Sequence, residues 1–191
     1  MRAVVASRMG HGLQIRRGMA TQPAKNTTDV LQILTSQHTE VDALFERIEK
    51  GNGDRKALLL ELADKLAAHA TVEEKIFYPA VMAKSTSDTL HESVEEHLQI
   101  KRVLSDLLVM NPDDENFKAK VKVLKEDVSH HAHEEEEEKL FVKVRSMMGA
   151  EQLAAIGNDV LAMFEDLMQG NPSKNVPAET KKAAPLPQPN A

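Results

Sequence analysis

Apolar residues recur at helical spacing through most of the chain, and the polar residues that interrupt them fall at few places. From about Thr28 to Lys50, Leu31, Leu34, Val41, Phe45 and Ile48 share one face at about 100° per residue. Gly51, Asn52 and Gly53 stop that helix. A second takes Asp54 as N-cap and runs to about Lys84 on Leu58, Leu59, Leu62, Leu66, Ile76 and Phe77; Pro79 is expected to kink it or end its regular part. A third, with Ser85, Ser87 and Asp88 as candidate caps, carries Leu90, Val94, Leu104 and Leu108 and ends at Asn111 and Pro112. A fourth, from about Asp113 to Met148, carries Val121, Leu124 and Val128 and stops at Gly149. A shorter fifth spans about Glu151 to Met168. Short connections make successive long helices antiparallel neighbours. The expected fold is therefore all-α: an up-down-up-down four-helix bundle with an additional C-terminal helix.

Composition agrees. Of 191 residues, 41% are hydrophobic and 3% aromatic, enough for one helical domain with a core. The net charge of -6 supplies no general basic field for nucleic acid or anionic lipid. No apolar run approaches the ~18 residues that span a bilayer, so neither nucleic acid nor a membrane is an expected partner. Residues 28–170 form the expected domain. Residues 1–27, with Arg2, Arg8, Arg16 and Arg17 and no acid, read as a poorly ordered extension. That extension is either an upstream stretch before a start at Met19, in a cytoplasmic protein, or an Arg-rich organelle presequence. Residues 171–191, rich in Pro, Lys, Asn and Ala, read as a disordered tail.

The interruptions of the apolar stripes carry the chemistry. His38 sits amid the first stripe, His69 and Glu73 interrupt the second, His97 lies on the third, and the fourth leads to His131 and Glu135. One histidine on an apolar face is most often a core histidine with a hydrogen-bond partner. Four histidines and two carboxylates in one bundle are different, because burying them uncompensated costs more than a domain's ~5–15 kcal/mol of stability. A shared cation supplies the missing charge. With no cysteine in the chain, any such metal is held by nitrogen and oxygen, which admits Fe, Mn and Zn.

The chain resembles the hemerythrin-like (HHE cation-binding) domain family. The resemblance rests on His38 within Ser-Gln-His-Thr-Glu-Val-Asp-Ala-Leu-Phe, on His69 to Glu73 before Ile-Phe-Tyr-Pro, on His97 in Glu-Glu-His-Leu, and on the run Val-Ser-His-His-Ala-His-Glu-Glu-Glu. It covers roughly Thr28 to Met148. It implies two non-haem iron ions joined by an oxo or hydroxo bridge. His38, His69, His97 and His131 are then terminal ligands, and Glu73 and Glu135 bridge. The implied small ligand is O2, peroxide or NO.

Two departures stand out. Oxygen carriers of the family often have a fifth histidine one turn after the third-helix histidine, and Lys101 occupies that position. A protonated lysine has no lone pair to offer, so one metal is left to water or to His91, His130 or His133. The second departure is register. Upstream apolar residues favour His131 with Glu135, whereas Leu140, Phe141 and Val144 lie nearer the face of His133 and Glu137. One residue looks inserted in the Glu134–Glu138 run, and a π-bulge would absorb it. Tyr78, the one tyrosine, and Phe45, Phe77 and Phe141 are expected to pack the core around the site. Three uses of the site are open: binding oxygen or nitric oxide, consuming peroxide or nitric oxide as a redox enzyme, and handling iron.

Overall fold

A computed structural model describes residues 29–51 and 53–189; the extension expected at 1–27 lies outside them. The described chain is helical: α1 (Val30–Glu49), α2 (Arg55–Val72), α3 (Tyr78–Val81), α4 (Ser87–Val109), α5 (Phe117–Ser129), α6 (Phe141–Met147) and α7 (Ala150–Met168). α2 and α3 are one continuous rod, joined by a π-helical turn at Glu73–Phe77, and a longer π-helical stretch at His130–Leu140 joins α5 to α6. Pro79 therefore follows the widened turn, just inside α3, where its missing N–H costs little. Asp29 caps α1 by accepting from the Leu31 N–H at 2.9 Å, and Asp54 caps α2 through the Lys56 and Ala57 N–H groups. The turn between them bends through Gly51 and Gly53 at φ +68° and +109°, a region that glycine enters without strain.

Two apolar clusters make the core. The first joins Val41, Phe45 and Ile48 late in α1 with Leu58 and Leu62 early in α2, Leu104 and Leu107 late in α4, and Phe117, Val121 and Leu124 early in α5. The second joins Val30 and Leu34 early in α1, Phe77 and Val81 late in the second rod, Leu90 and Val94 early in α4, and Leu140 and Val144 late in the fourth. Early segments of α1 and α4 thus share a cluster with late segments of the second and fourth rods. Between the clusters lies a layer of buried polar side chains. α7 closes one flank, with Leu153 and Val160 buried in the second cluster.

The expected disordered tail is corrected. Asn171 turns the chain at φ 53°, and Pro172–Glu179 coil into a 3-10 helix that packs on α2 and α4. Val176 enters the first cluster, and Ala183, Ala184 and Leu186 lie against the second. The Ser173 N–H donates to Asp64 at 3.0 Å, and Arg102 Nε donates to the Thr180 carbonyl at 3.0 Å. These few contacts suffice because the strap covers a core that already exists. No helix among the described residues is long and apolar enough to cross a membrane.

Candidate metal centre

The polar layer brings together His38 of α1, His69 of α2, Glu73 at the start of the first π turn, His97 of α4, and His131 and Glu136 of the long π segment. All six are buried, and Glu73 and Glu136 are wholly so. Five of them are the residues expected from the helical stripes. The sixth is a correction: Glu136, not Glu135, faces the histidines.

Wider winding is the reason. An α-helix aligns positions three or four apart, whereas a π turn holds one more residue and aligns positions five apart. Glu136 Oε2 accordingly lies 3.8 Å from His131 Nε2 and 3.3 Å from His38 Nε2. Glu135 turns to the flank, paired with Lys139 and 3.6 Å from His130 Nε2. The bulge expected in the Glu run is present. Neither weighed pair enters the cluster whole: His133 meets Asp42 at 3.0 Å and Glu137 at 3.3 Å outside it, and Glu137 backs His38 from there. His91 and His130 are exposed and stand outside the cluster. Lys101 is buried but bonds to Glu74 and Glu179.

Each central imidazole is held from behind. His38 Nδ1 lies 2.6 Å from Glu137 Oε1, His69 Nδ1 2.7 Å from Gln37 Oε1, His97 Nδ1 3.0 Å from Glu74 Oε1, and His131 Nδ1 2.7 Å from Glu96 Oε2. These four acceptors call for hydrogen on Nδ1, which leaves the Nε2 lone pairs aimed inward. There they crowd: His38 and His69 Nε2 are 3.2 Å apart, and His97 and His131 Nε2 are 2.9 Å apart. Glu73 Oε2 lies between the pairs, 3.2 Å from His69 Nε2 and 3.3 Å from His97 Nε2. Facing lone pairs repel unless a proton or a cation lies between them, and a cation is the group that satisfies the whole donor set. Glu73 Oε1 and Glu136 Oε2 are buried without a hydrogen-bond partner, which is the same demand expressed by oxygen.

The charge states agree. Burial pushes the Glu73 carboxyl well above its ordinary range, and the nearby Glu136 carboxylate adds to the effect. Burial works against the Glu136 carboxylate too, but His131 and His38 outweigh it and hold that group well below its usual range. Burial, reinforced by neighbouring imidazoles, lowers both His69 and His97. Burial alone would lower His38 as well, but the Glu136 and Glu137 carboxylates overcome it and raise the group. Two donor sets result: His38, His69, Glu73 and Glu136, and Glu73, His97 and His131, with ligand atoms in each within 4.8 Å of one another. Glu73 belongs to both.

Aromatic side chains enclose the layer. Tyr78 stacks on His97 with ring centroids 5.6 Å apart, and its hydroxyl donates to Glu136 Oε1 at 2.9 Å. Phe141 stacks on His38 at 6.1 Å. On the other side, Val41, Leu66, Ala70, Ile100, Val128 and Ala132 line a cavity of about 30 Å³ that the four imidazoles also border.

Residues 29–142 match the family model described as the hemerythrin HHE cation binding domain. A DNA nickase of Nostoc sp. is 27% identical over 130 residues, which is 67% of this chain. The chain spans 37% of that relative's length. The crystal structure of a hemerythrin HHE cation binding domain-containing protein from Mycobacterium kansasii superposes with a TM-score of 0.65 at 22% identity, over 80% of this chain and 94% of that one. This likeness is one of fold.

Proposed function

Because the chain belongs to the hemerythrin HHE cation-binding domain family, we propose that its bundle holds two non-haem iron ions and binds a small ligand, such as O2, peroxide or NO, beside them. One observation carries the reading: four imidazoles backed at Nδ1 turn their Nε2 atoms toward one another in a layer with two orphaned carboxylate oxygens. His38 and His69 would hold one ion and His97 and His131 the other, with Glu73 and Glu136 between them. Mixed imidazole and carboxylate donors suit iron. A bound iron pair would supply redox chemistry and an open coordination position.

The chain's own residues would do the rest. Gln37, Glu74, Glu96 and Glu137 fix the orientation of the imidazoles and strengthen them as donors. The Tyr78 hydroxyl holds Glu136 in place. The apolar cavity of about 30 Å³ next to the imidazoles has room for a molecule the size of water or a diatomic gas. Lys101 faces away from the cluster, and so no fifth nitrogen ligand is supplied there.

The test is anaerobic purification and metal counting, followed by visible spectra during addition of oxygen, peroxide or nitric oxide. Two irons per chain and a ligand-dependent spectrum are expected. A reversible oxygen spectrum assigns binding, and repeated consumption of peroxide assigns an enzyme. A chain that takes up no iron, or holds only zinc, overturns the reading. Nicking of supercoiled plasmid that Glu73→Gln abolishes would point instead to the activity named for the Nostoc relative.

A further inference from the structure

The four outer acceptors behind the imidazoles are not equivalent. Gln37 is a neutral amide, and Glu96 and Glu137 have half-exposed or exposed histidines as their other neighbours. Glu74 alone among them is backed by an ammonium group: Lys101 Nζ lies 2.9 Å from each of its carboxylate oxygens. That ammonium also meets Glu179 Oε2 at 2.9 Å, on the C-terminal strap. A continuous line of contacts therefore runs from His97 through Glu74 and Lys101 to Glu179.

Burial gives the line its force. The Lys101 side chain is 8% exposed and Glu74 11%, whereas Glu179 is 43% exposed. An ammonium so enclosed needs its counter-charges, and Glu74 must share its carboxylate with His97. Glu179 supplies the second negative charge. The strap reaches this level of the bundle because Val176 anchors it in one apolar cluster and Ala183 and Leu186 anchor it on the other. Between strap and helices lies a cavity of about 550 Å³ bordered by Glu74, Lys101 and Glu179. A lysine that let go of Glu74 would leave the carboxylate facing that cavity.

We propose that Lys101 is a positioning residue for the metal centre and that the C-terminal strap holds it in place. Glu179 fixes Lys101, Lys101 fixes the Glu74 carboxylate, and Glu74 holds the Nδ1–H of His97 so that its Nε2 points at the cation. This rests on the metal-binding reading above. It gives the strap, which lies beyond the family match at 29–142, a role in a centre it does not touch.

The experiment uses the full chain, loaded with ferrous iron without oxygen. Metal transfer to a competing chelator is timed in the wild type and in Glu179→Gln, Lys101→Met and Lys101→Arg. Outer partners of a metal-binding histidine typically alter affinity by about 10–100-fold, so Lys101→Met should speed release by about tenfold. Glu179→Gln should act in the same direction, and Lys101→Arg should stay near wild type. Asp64→Ala, which removes the acceptor of the Ser173 N–H at the strap's other end, should loosen the strap to hydrogen exchange with a smaller effect on release. Nitrogen NMR of the His97 ring in the metal-free chain reads the same line without any metal: Lys101→Met should mix its two tautomers. If the strap loosens in Glu179→Gln while metal release and the His97 signals stay as in wild type, the coupling is wrong. If the wild type itself takes up no metal, the metal reading fails separately, and the His97 signals still decide whether Lys101 positions the ring.

Discussion

His131 and Glu136 stand five positions apart in the chain and meet at the same centre, with Nε2 3.8 Å from Oε2. In a regular α-helix the residue at that spacing is turned well away, and Glu135 would take its place. The π-helical stretch from His130 to Leu140 redirects the backbone within the Glu134–Glu138 run. It converts a stretch of five like charges into residues with separate duties. Glu136 faces the cluster, Glu137 backs His38, and Glu135 pairs with Lys139.

Exchange of the neighbouring glutamates therefore has unequal consequences. Glu136→Gln should lose metal, with affinity weakened by about 100-fold or more, since ligands matter at least as much as the groups that back them. Glu135→Gln should keep full metal content and change stability by roughly 0.5 kcal/mol or less. Metal counting on the two purified variants decides it. Equal loss in both would return Glu135 to the site.

The histidines were legible in the sequence because α-helical periodicity holds from each apolar stripe up to His38, His69, His97 and His131. Glu136 was not, because the stripe that runs forward from Leu124 and Val128 loses its register in the π segment. Extended backward from Val144 through Leu140 at four-residue steps, it arrives at Glu136, and both of those leucine and valine side chains are buried. The signal was present, but on the far side of the bulge. The strap was illegible for another reason. Composition reports whether a segment can build its own core, and Val176, Ala183 and Leu186 need only cover one built by other helices.

Glu73→Gln should separate metal binding from stability. Burial first, and the Glu136 carboxylate second, raise the Glu73 carboxyl well above 4.5 in the fold. A carboxyl shifted that way costs the metal-free fold nothing below its unfolded value, then progressively more as pH climbs toward the folded value. Glutamine stays neutral throughout. The metal-free variant should be more stable than wild type near neutral pH, by on the order of 1–4 kcal/mol, with the difference vanishing in acid. Urea unfolding of both metal-free chains across pH measures it. A variant that is less stable at neutral pH contradicts the assignment.

Cation uptake should release protons. In the metal-free fold Glu73 is raised by burial and by Glu136, and His38 is raised because Glu136 and Glu137 outweigh its burial. Both must give up their protons to hold a cation. His69 and His97, lowered by burial and by adjacent imidazoles, are already neutral and contribute none. Apparent affinity should thus rise with pH through the raised values. Calorimetry with zinc as probe, in buffers of different ionisation enthalpy, counts the protons. Glu73→Gln should remove part of the release, and an unchanged count would place the proton elsewhere.

Tyr78→Phe tests the one hydrogen bond that the structure gives to Glu136 Oε1. The phenol is fully buried, and burial together with the Glu136 and Glu73 carboxylates raises it well above its ordinary range, so it stays a donor. Phenylalanine keeps the ring that stacks on His97 at 5.6 Å and fills the same space. Only the donor is lost, and Glu136 is left as a buried carboxylate with one bond fewer. The metal-free variant should lose about 1–3 kcal/mol, the cost of an unsatisfied buried acceptor. A cation bound to Glu136 offsets the missing donor, so the metal-loaded variant should lose clearly less. Thermal unfolding of loaded and metal-free chains gives both numbers. No loss in either state would mean that Tyr78 supports packing alone, and equal losses in both would mean that Glu136 does not carry the cation.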